Sequence, residues 1–544
     1  MFIRRRLKLD IADAVKATFG PDAPEPVIGF PREAAHGDYA TNFPLKAAKA
    51  LGRAPMEIAG DLERALAGRS IFSAVTKAKP GFVNLFLAPA FIEERLEKIA
   101  GGADVFSHYR ETPKKINVEF VSANPTGPLT VGHGRNACLG DSLARLLKAV
   151  GHDVTREYYF NNAGRQMKIL GESLRARFLE EAGKPSEFPE EGYVGEYIRE
   201  IARDVLRERG PGIDPADLDL FRRAAEKSIF DMIRKTLDRL GVAFDVYFNE
   251  DQLYKNGEVT AVLKELETRG LTQPEDGAIL FRGEAQGLPK NPVLVKKTGE
   301  PTYRLPDVAY HIDKLRRKFD LIIDVLGADH IDEHREVLAI LKSLGHPTAA
   351  IRGIIYQFVT LVRDGKPVKM STRKAEYVTL DDLLEEVGPD VARFFFLSRK
   401  SDTHLEFDLA LAKAESNENP VYYVQYAHAR LAGIFRTAAE QGFSMDGVRT
   451  SRVDLSNPSA LTLAKKILSL GDVLESELAE LEVGGILWYI RELAEAFHVY
   501  YTDVRVVESA DREGTLGRLK LCLIVQTIIS SVLTTLGIRA PERM

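Results

Sequence analysis

Cysteine is nearly absent: Cys138 and Cys522 are the only two among 544 residues, and they lie far apart. That excludes a disulfide framework and any zinc site built on clustered cysteines, and it fits a reducing, cytoplasmic setting. A secretory leader is not expected either. The opening Met1-Phe2-Ile3-Arg4-Arg5-Arg6 is basic, but Lys8 and Asp10 follow before an apolar run can form. No stretch reads as a membrane span. The best candidate, Leu519 to Ile538, is broken by Lys520, Gln526, Thr527, Ser530 and Ser531, the pattern of a buried helix, so no membrane partner is expected. Internal repeats and low-complexity tracts are also missing. The net charge of −5 decides little, because phosphate affinity follows local basic clusters and not the chain total.

The residues present form a globular composition, 45% hydrophobic and 28% charged, with length enough for about three to five domains. Three regions separate by pattern. Up to about Leu87, short helical stretches such as Met56 to Leu66, with Ile58, Leu62 and Leu66 at helical spacing, mix with a strand-like Gly81 to Leu87. From about Lys114 the order is strand, loop, helix: Ile116 to Val121, a Gly/Pro loop, then a helix with Leu139, Leu143, Leu146, Leu147 and Val150 on one face. This alternation predicts a parallel sheet covered by helices, with further strands at Asp153 to Phe160 and Leu321 to Leu326. The charged, Pro/Gly-punctuated segment between the last two reads as an insertion of about 184–289. Beyond about Leu409 helical periodicity takes over.

Two loops carry chemistry. The first strand-to-helix connection reads Ser122-Ala123-Asn124-Pro125-Thr126-Gly127-Pro128-Leu129-Thr130-Val131-Gly132-His133. It falls where open α/β sheets bind ligands and where a helix N-terminus attracts phosphate. Gly132 lets a nucleotide approach the backbone, and His133 offers a nitrogen donor to a phosphoryl oxygen. Further on, Asp364-Gly365 predicts a hairpin that delivers the cationic run Lys369-Met370-Ser371-Thr372-Arg373-Lys374. Thr379 and Asp382 form a capping box for the next helix. Taken alone, the first loop is equally a Pro/Gly turn with an incidental histidine, and the second a solvated charge run.

Together, in this order, the two strings resemble the His-Ile-Gly-His and Lys-Met-Ser-Lys-Ser signatures of class I aminoacyl-tRNA synthetases, and Ser122 to Leu129 is similar to the arginyl-tRNA synthetase version. Two positions depart: Thr130 replaces the first signature's first histidine, and Thr372 the second signature's second lysine. The resemblance implies an α/β fold, with a Rossmann-like parallel-sheet catalytic domain at 109–408, an N-terminal α+β domain at 1–108 and an all-helical anticodon-binding domain at 409–544. It implies ligation of L-arginine to tRNA(Arg) through an arginyl-adenylate, with ATP and Mg2+, without zinc, in a monomer. Family members need bound tRNA even to form the adenylate.

Residue by residue, the resemblance implies ATP contacts at Thr130, Gly132, His133, Lys369, Met370 and Ser371, with His133, Lys369, Arg373 and Lys374 as catalytic donors. Leu326-Gly327-Ala328-Asp329-His330 is similar to the class I ribose-binding element, which makes Gly327 and Asp329 ribose contacts and His330 a neighbour of the arginine carboxylate. A guanidinium needs carboxylates and a flat surface. Glu119 and Asn124 match residues that grip the main-chain part of arginine; Tyr303 and Asp307, four apart, match those that hold the guanidinium. Without the family, Glu119 is an ordinary strand-end acid and Asp307 a helix-surface residue. For tRNA, Phe82 and Asn84 match residues that read a D-loop base, and His498, Tyr501 and Arg505 fall in a helical region similar to the anticodon-binding domain. Phe82 as core is the equal alternative on the residues alone. Two rivals remain: another class I synthetase, and a synthetase-derived RNA-binding protein without catalysis.

Overall fold

The computed structural model describes residues 2–544 apart from 102, 103, 163 and 369–377. The chain divides into two compact units. One comprises Thr112–Glu415 with Leu536–Ile538, and the other Met1–Glu111, Ser416–Thr535 and Arg539–Met544.

In the N-terminal part of the second of these, strands β1 (Ile28–Gly29), β2 (Tyr39–Thr41), β3 (Phe72–Ala78) and β4 (Phe82–Leu87) form an antiparallel sheet in the order β1-β2-β4-β3. The helix Pro55–Leu66 buries Ile58, Leu62 and Leu66, as their spacing predicts.

The unit built on Thr112–Glu415 carries β5 (Lys115–Glu119), β6 (Asp153–Phe160) and β7 (Val246–Asn249). An antiparallel set follows, β8 (Thr272–Glu275), β9 (Ala278–Phe281) and β10 (Val293–Val295), then β11 (Leu321–Gly327) and β12 (Ile351–Tyr356). The main sheet has the order β12-β11-β5-β6-β7 and is parallel throughout. Its central strands are buried on both faces, Ile116, Asn117 and Val118 in β5 and Ile322, Ile323 and Val325 in β11. Helix α1 (Val131–Ala149) buries Leu139, Leu143, Leu146 and Leu147, each worth about 1.5–3 kcal/mol of apolar burial. Helices α2 (Arg304–Arg316) and α3 (Ile331–Ser343) flank β11 in sequence.

Two expectations need correction. The segment 184–289 is not one insertion, because β7 returns within it to complete the sheet as its edge strand. Four half-exposed residues give no periodic signal, so the strand is silent in sequence. The first strand also stops at Glu119 and not Val121, because Val121 (φ 66°) and Ser122 (φ 39°) turn into the left-handed region. The Asp364-Gly365 hairpin is present: β13 (Val359–Arg363) pairs with β14 (Lys366–Pro367), and both turn residues have positive φ (51° and 72°). Strand β15 (Leu405–Asp408) lies parallel to β13.

The C-terminal part of the other unit is helical, with α4 (Pro420–Glu440), α5 (Gly484–Asp503) and α6 (Arg512–Thr535) the longest elements. Helix α6 is apolar and long enough to cross a membrane by composition. Here it buries Leu519, Leu521, Cys522, Val525, Ile528 and Ile529, and its buried Lys520 pairs with Glu97 and the Ser451 carbonyl.

Candidate active site

The carboxyl ends of β5 and β11 and the N-terminus of α1 frame the site. The turn after β5 is held in its left-handed conformation by specific bonds. Val121 N donates to Asn136 Oδ1 (2.6 Å), Tyr158 OH to the Ala123 carbonyl (2.8 Å), and Tyr159 N to Ser122 Oγ (3.1 Å). Asn136 also donates to the Val325 carbonyl (2.9 Å), which ties α1 to β11. Positive φ at a β-branched residue costs on the order of 1–3 kcal/mol and persists only where surroundings over-determine it.

Thr130 is the N-cap of α1, and its N–H donates to His133 Nδ1 at 3.1 Å. That bond fixes the tautomer: Nδ1 accepts, so Nε2 carries the proton and is the donor available to a ligand. Burial pushes the His133 pKa down to about 4, with Asp329 acting weakly in the other direction. The ring is therefore neutral at pH 7, a hydrogen-bond donor and not a cation. A Cβ at Gly132 would meet only Thr130 Oγ1 at 3.7 Å, so the space above this turn is open. The first loop is linked to the second through Leu380 N, which donates to the Leu129 carbonyl (2.8 Å). The Thr379–Asp382 capping box is formed, with Asp382 N donating to Thr379 Oγ1 at 3.0 Å. Lys369, Met370, Ser371, Thr372, Arg373 and Lys374 lie outside the described residues.

At the end of β11, a Cβ on Gly327 would collide with Asp329 Oδ1 at 2.5 Å, so the carboxylate folds over the glycine. Asp329 makes no cap bond to α3. His330 is exposed, with Nδ1 at 2.9 Å from Glu333 Oε2, and that bond raises its pKa against the opposing effect of burial.

The residues expected to form an amino-acid pocket fall into two distinct acidic groups. Glu119 ends β5; its Oε1 accepts from Ser122 Oγ (2.8 Å) and its Oε2 from Lys314 Nζ (2.5 Å). Lys314 is fully buried on α2 and also donates to Asp324 Oδ1 (2.7 Å) in β11, while Asp324 Oδ2 lies 3.0 Å from His311 Nε2. Burial alone would raise the Asp324 carboxyl, but Lys314 and His311 hold it far below its usual range. Burial likewise opposes the Lys314 charge, and Asp324, Glu119 and Glu157 overcome it. Glu157 in turn is gripped by Arg317 in a two-pronged bond (2.6 and 2.8 Å).

Asp307 is in the opposite condition. Tyr303 precedes α2 and Asp307 sits in its first turn, on one face as the spacing predicts. Burial pushes the Asp307 carboxyl well above its ordinary value, and a hydrogen bond and like charge from Glu333, then Glu250 and Glu119, push it further. Glu250, at the end of β7, accepts from Tyr159 OH (2.9 Å), and its own pKa is raised by burial. The structure thus links Asp307 and His330 through Glu333, and places Glu119 near enough to act on Asp307 by charge. It places Asn124 at the mouth, donating to Gln166 Oε1 (3.0 Å), and Tyr303 at the surface with Arg304 stacked 4.7 Å from its ring. Glu250, Glu333, Tyr159 and Lys314 were not expected from sequence. Glu250 follows β7 directly, so it carried no signal while that strand itself was silent.

Of the residues assigned to RNA, Phe82 is half-buried at the start of β4, while Asn84 is 6% exposed and its backbone pairs in register with Ala40 and Thr76. In the helical region Phe497 and Tyr500 are core. His498 lies in a cluster with Tyr423 (5.2 Å) and Tyr426 (6.1 Å), and Arg430 stacks 4.6 Å from the Tyr501 ring. His498 Nε2 is buried with no hydrogen-bond partner. Arg505 is exposed beyond the end of α5.

A parallel sheet with a His133-bearing helix start at the carboxyl end of its first strand defines a class I tRNA synthetase, and the family described as tRNA synthetases class I (R), catalytic domain, matches residues 102–393. The DALR anticodon binding domain matches 424–544 and the arginyl tRNA synthetase N terminal domain 5–87. An arginine–tRNA ligase of Desulfotalea psychrophila is 45% identical over 95% of this chain and 94% of its own length. One from Salinibacter ruber is 44% identical over 96% and 97%. The Thermus thermophilus arginyl-tRNA synthetase structure superposes with a TM-score of 0.78 over 100% of both chains at 23% identity, a likeness of fold. The chain belongs to the arginyl-tRNA synthetase family.

Proposed function

We propose that the protein ligates L-arginine to tRNA(Arg) in two steps at this site. An arginine carboxylate oxygen attacks the α-phosphorus of ATP in line, the bond to pyrophosphate breaks, and arginyl-adenylate forms. A ribose hydroxyl at the tRNA 3′ end then attacks the acyl carbon and AMP leaves. No covalent enzyme intermediate is required, so positioning and electrostatics carry the chemistry.

The observation that carries this reading is the acid group around Asp307, where Glu333, Glu250 and Glu119 all bear on one carboxyl, together with a helix start suited to phosphate. Carboxyls crowded in this way gain when a cation enters, and a guanidinium offers five donors in a planar fork to satisfy them. Asp307 and Tyr303 take the guanidinium, with Glu250 as a second carboxylate. Glu119 and Asn124 take the α-amino end, and His330 lies by the carboxylate. Gly327 and Asp329 hold the ribose. Thr130, Gly132 and His133 meet the phosphates, and Lys369, Met370, Ser371, Arg373 and Lys374 stabilise the departing pyrophosphate. Mg2+ accompanies ATP; among the described residues no cluster of three His, Cys, Asp or Glu side chains is suited to hold it, and no step is assigned to it. Phe82 and Asn84 read the D-loop, and His498, Tyr501 and Arg505 the anticodon loop.

The test is pyrophosphate exchange with each amino acid, with and without tRNA. Arginine-dependent exchange that requires tRNA is the expected result. Exchange with another amino acid, or none, overturns the reading.

A further inference from the structure

The most completely enclosed cation of the site does not face a ligand. Lys314 is 0% exposed, and its ammonium has three donors to place. One goes to Glu119 Oε2 at 2.5 Å and one to Asp324 Oδ1 at 2.7 Å, and the ammonium lies 4.4 Å from the Tyr310 ring. Asp324 is anchored independently by His311 from α2, with His334 of α3 a further 3.9 Å contact. Among the described residues Glu119 has no comparable second cation. Its remaining oxygen accepts from Ser122 Oγ at 2.8 Å, within the left-handed turn. Lys314 is therefore anchored on one side by a rigid sheet residue and on the other grips Glu119, the carboxylate assigned above to the α-amino group.

We propose that Lys314 is a positioning residue for recognition of the substrate's α-ammonium group: it acts through Glu119, holding that carboxylate in one orientation. The proposal rests on the reading above that Glu119 receives the α-amino group. A buried carboxylate that loses its cation swings toward other donors or water, and a misdirected Glu119 cannot receive an ammonium. A merely structural lysine would stabilise the sheet and affect every ligand of the site equally. A positioning lysine affects only ligands that carry an α-ammonium.

The discriminating probe is des-amino arginine (guanidinovaleric acid), which keeps the guanidinium and carboxylate but lacks the α-amino group. Its inhibition constant divided by the KM for arginine, both read in aminoacylation, measures what the α-ammonium contributes. In Lys314→Gln this ratio is expected to fall on the order of tenfold or more, the value of a charge-assisted hydrogen bond, with inhibition by the analogue unchanged. In a Glu119→Gln background, adding Lys314→Gln is expected to change the ratio little. An unchanged ratio, or losses that simply multiply, overturns the proposal. Should Lys314→Gln fail to fold, Lys314→Met, which fills the same space without the ammonium, takes its place; the ratio must fall there too, and an unchanged value overturns the proposal equally. A wild-type protein that does not charge arginine at all would instead refute the function itself.

Discussion

Two sets of carboxylates lie against α2, two helical turns apart, in opposite electrostatic conditions. Around Lys314, the acids Glu119, Asp324 and Glu157 are each met by a cation of the protein, and Asp324 is held well below its usual range. Around Asp307, burial and the nearby acids Glu333, Glu250 and Glu119 push the Asp307 carboxyl well above its usual range. The first set is complete without a ligand and gives the pocket its shape. In the second, among the described residues, only Glu333 meets a cation-capable group of the protein, His330, so interaction with Asp307 is held back for the substrate.

Breaking the compensated set should cost most in stability. Asp324→Ala leaves Lys314 buried against a single acid, and removing one partner of such a pair typically costs about 3–5 kcal/mol. A urea unfolding curve for the unit that shows a loss below about 1 kcal/mol would mean the cluster is not fixed. Asp307→Asn, in the uncompensated set, should do the reverse. The fold is retained or slightly stabilised, while the KM for arginine rises about tenfold to a hundredfold, from the loss of one charge-assisted bond of about 1.5–3 kcal/mol. An unchanged KM removes Asp307 from the pocket.

A third difference concerns protons. A carboxyl whose folded pKa is raised contributes stability fully below its unfolded value of about 3.9 and loses it as pH rises toward the folded value. The empty protein should therefore weaken across that window, and Asp307→Asn should flatten the slope. Because a guanidinium favours the ionised form, arginine binding is expected to release protons at pH values between the usual carboxyl range and the raised value of Asp307. Calorimetry in buffers of different ionisation heat would read this directly, and identical heats in all buffers count against it. The smallest effect is an expected absence. With its pKa near 4, His133 should contribute no inflection near pH 6.5 to the rate of adenylate formation, in contrast to exposed His330, whose pKa is raised. An inflection there that vanishes in His133→Gln would show that the ring works as a cation.

Much of this was legible in the chain itself. Strands β5, β6 and β11 announce themselves by apolar runs that end in Gly-rich turns, and the first-strand loop followed by a basic second loop carries the class. The four-residue β7 was not legible, since its alternation is too short to register, and Glu250 went unnoticed with it. Lys314 was invisible for another reason. Its partners Glu119 and Asp324 are distant in sequence or on a neighbouring element, and no periodicity encodes such a meeting. The left-handed Val121-Ser122 turn is contrary to local preference; it exists because Asn136, Tyr158 and Tyr159 enforce it, and nothing in those two residues foretells it.

That turn also sets a conflict for any laboratory evolution of this protein. Glycine at Val121 or Ser122 would relieve positive φ, so a screen rewarding heat resistance alone would be drawn to these two positions. Ser122 is also what Glu119 leans on. Heat-resistant survivors altered there would keep the fold and lose discrimination among amino acids, so selection for robustness and selection for faithful translation pull this one turn in different directions.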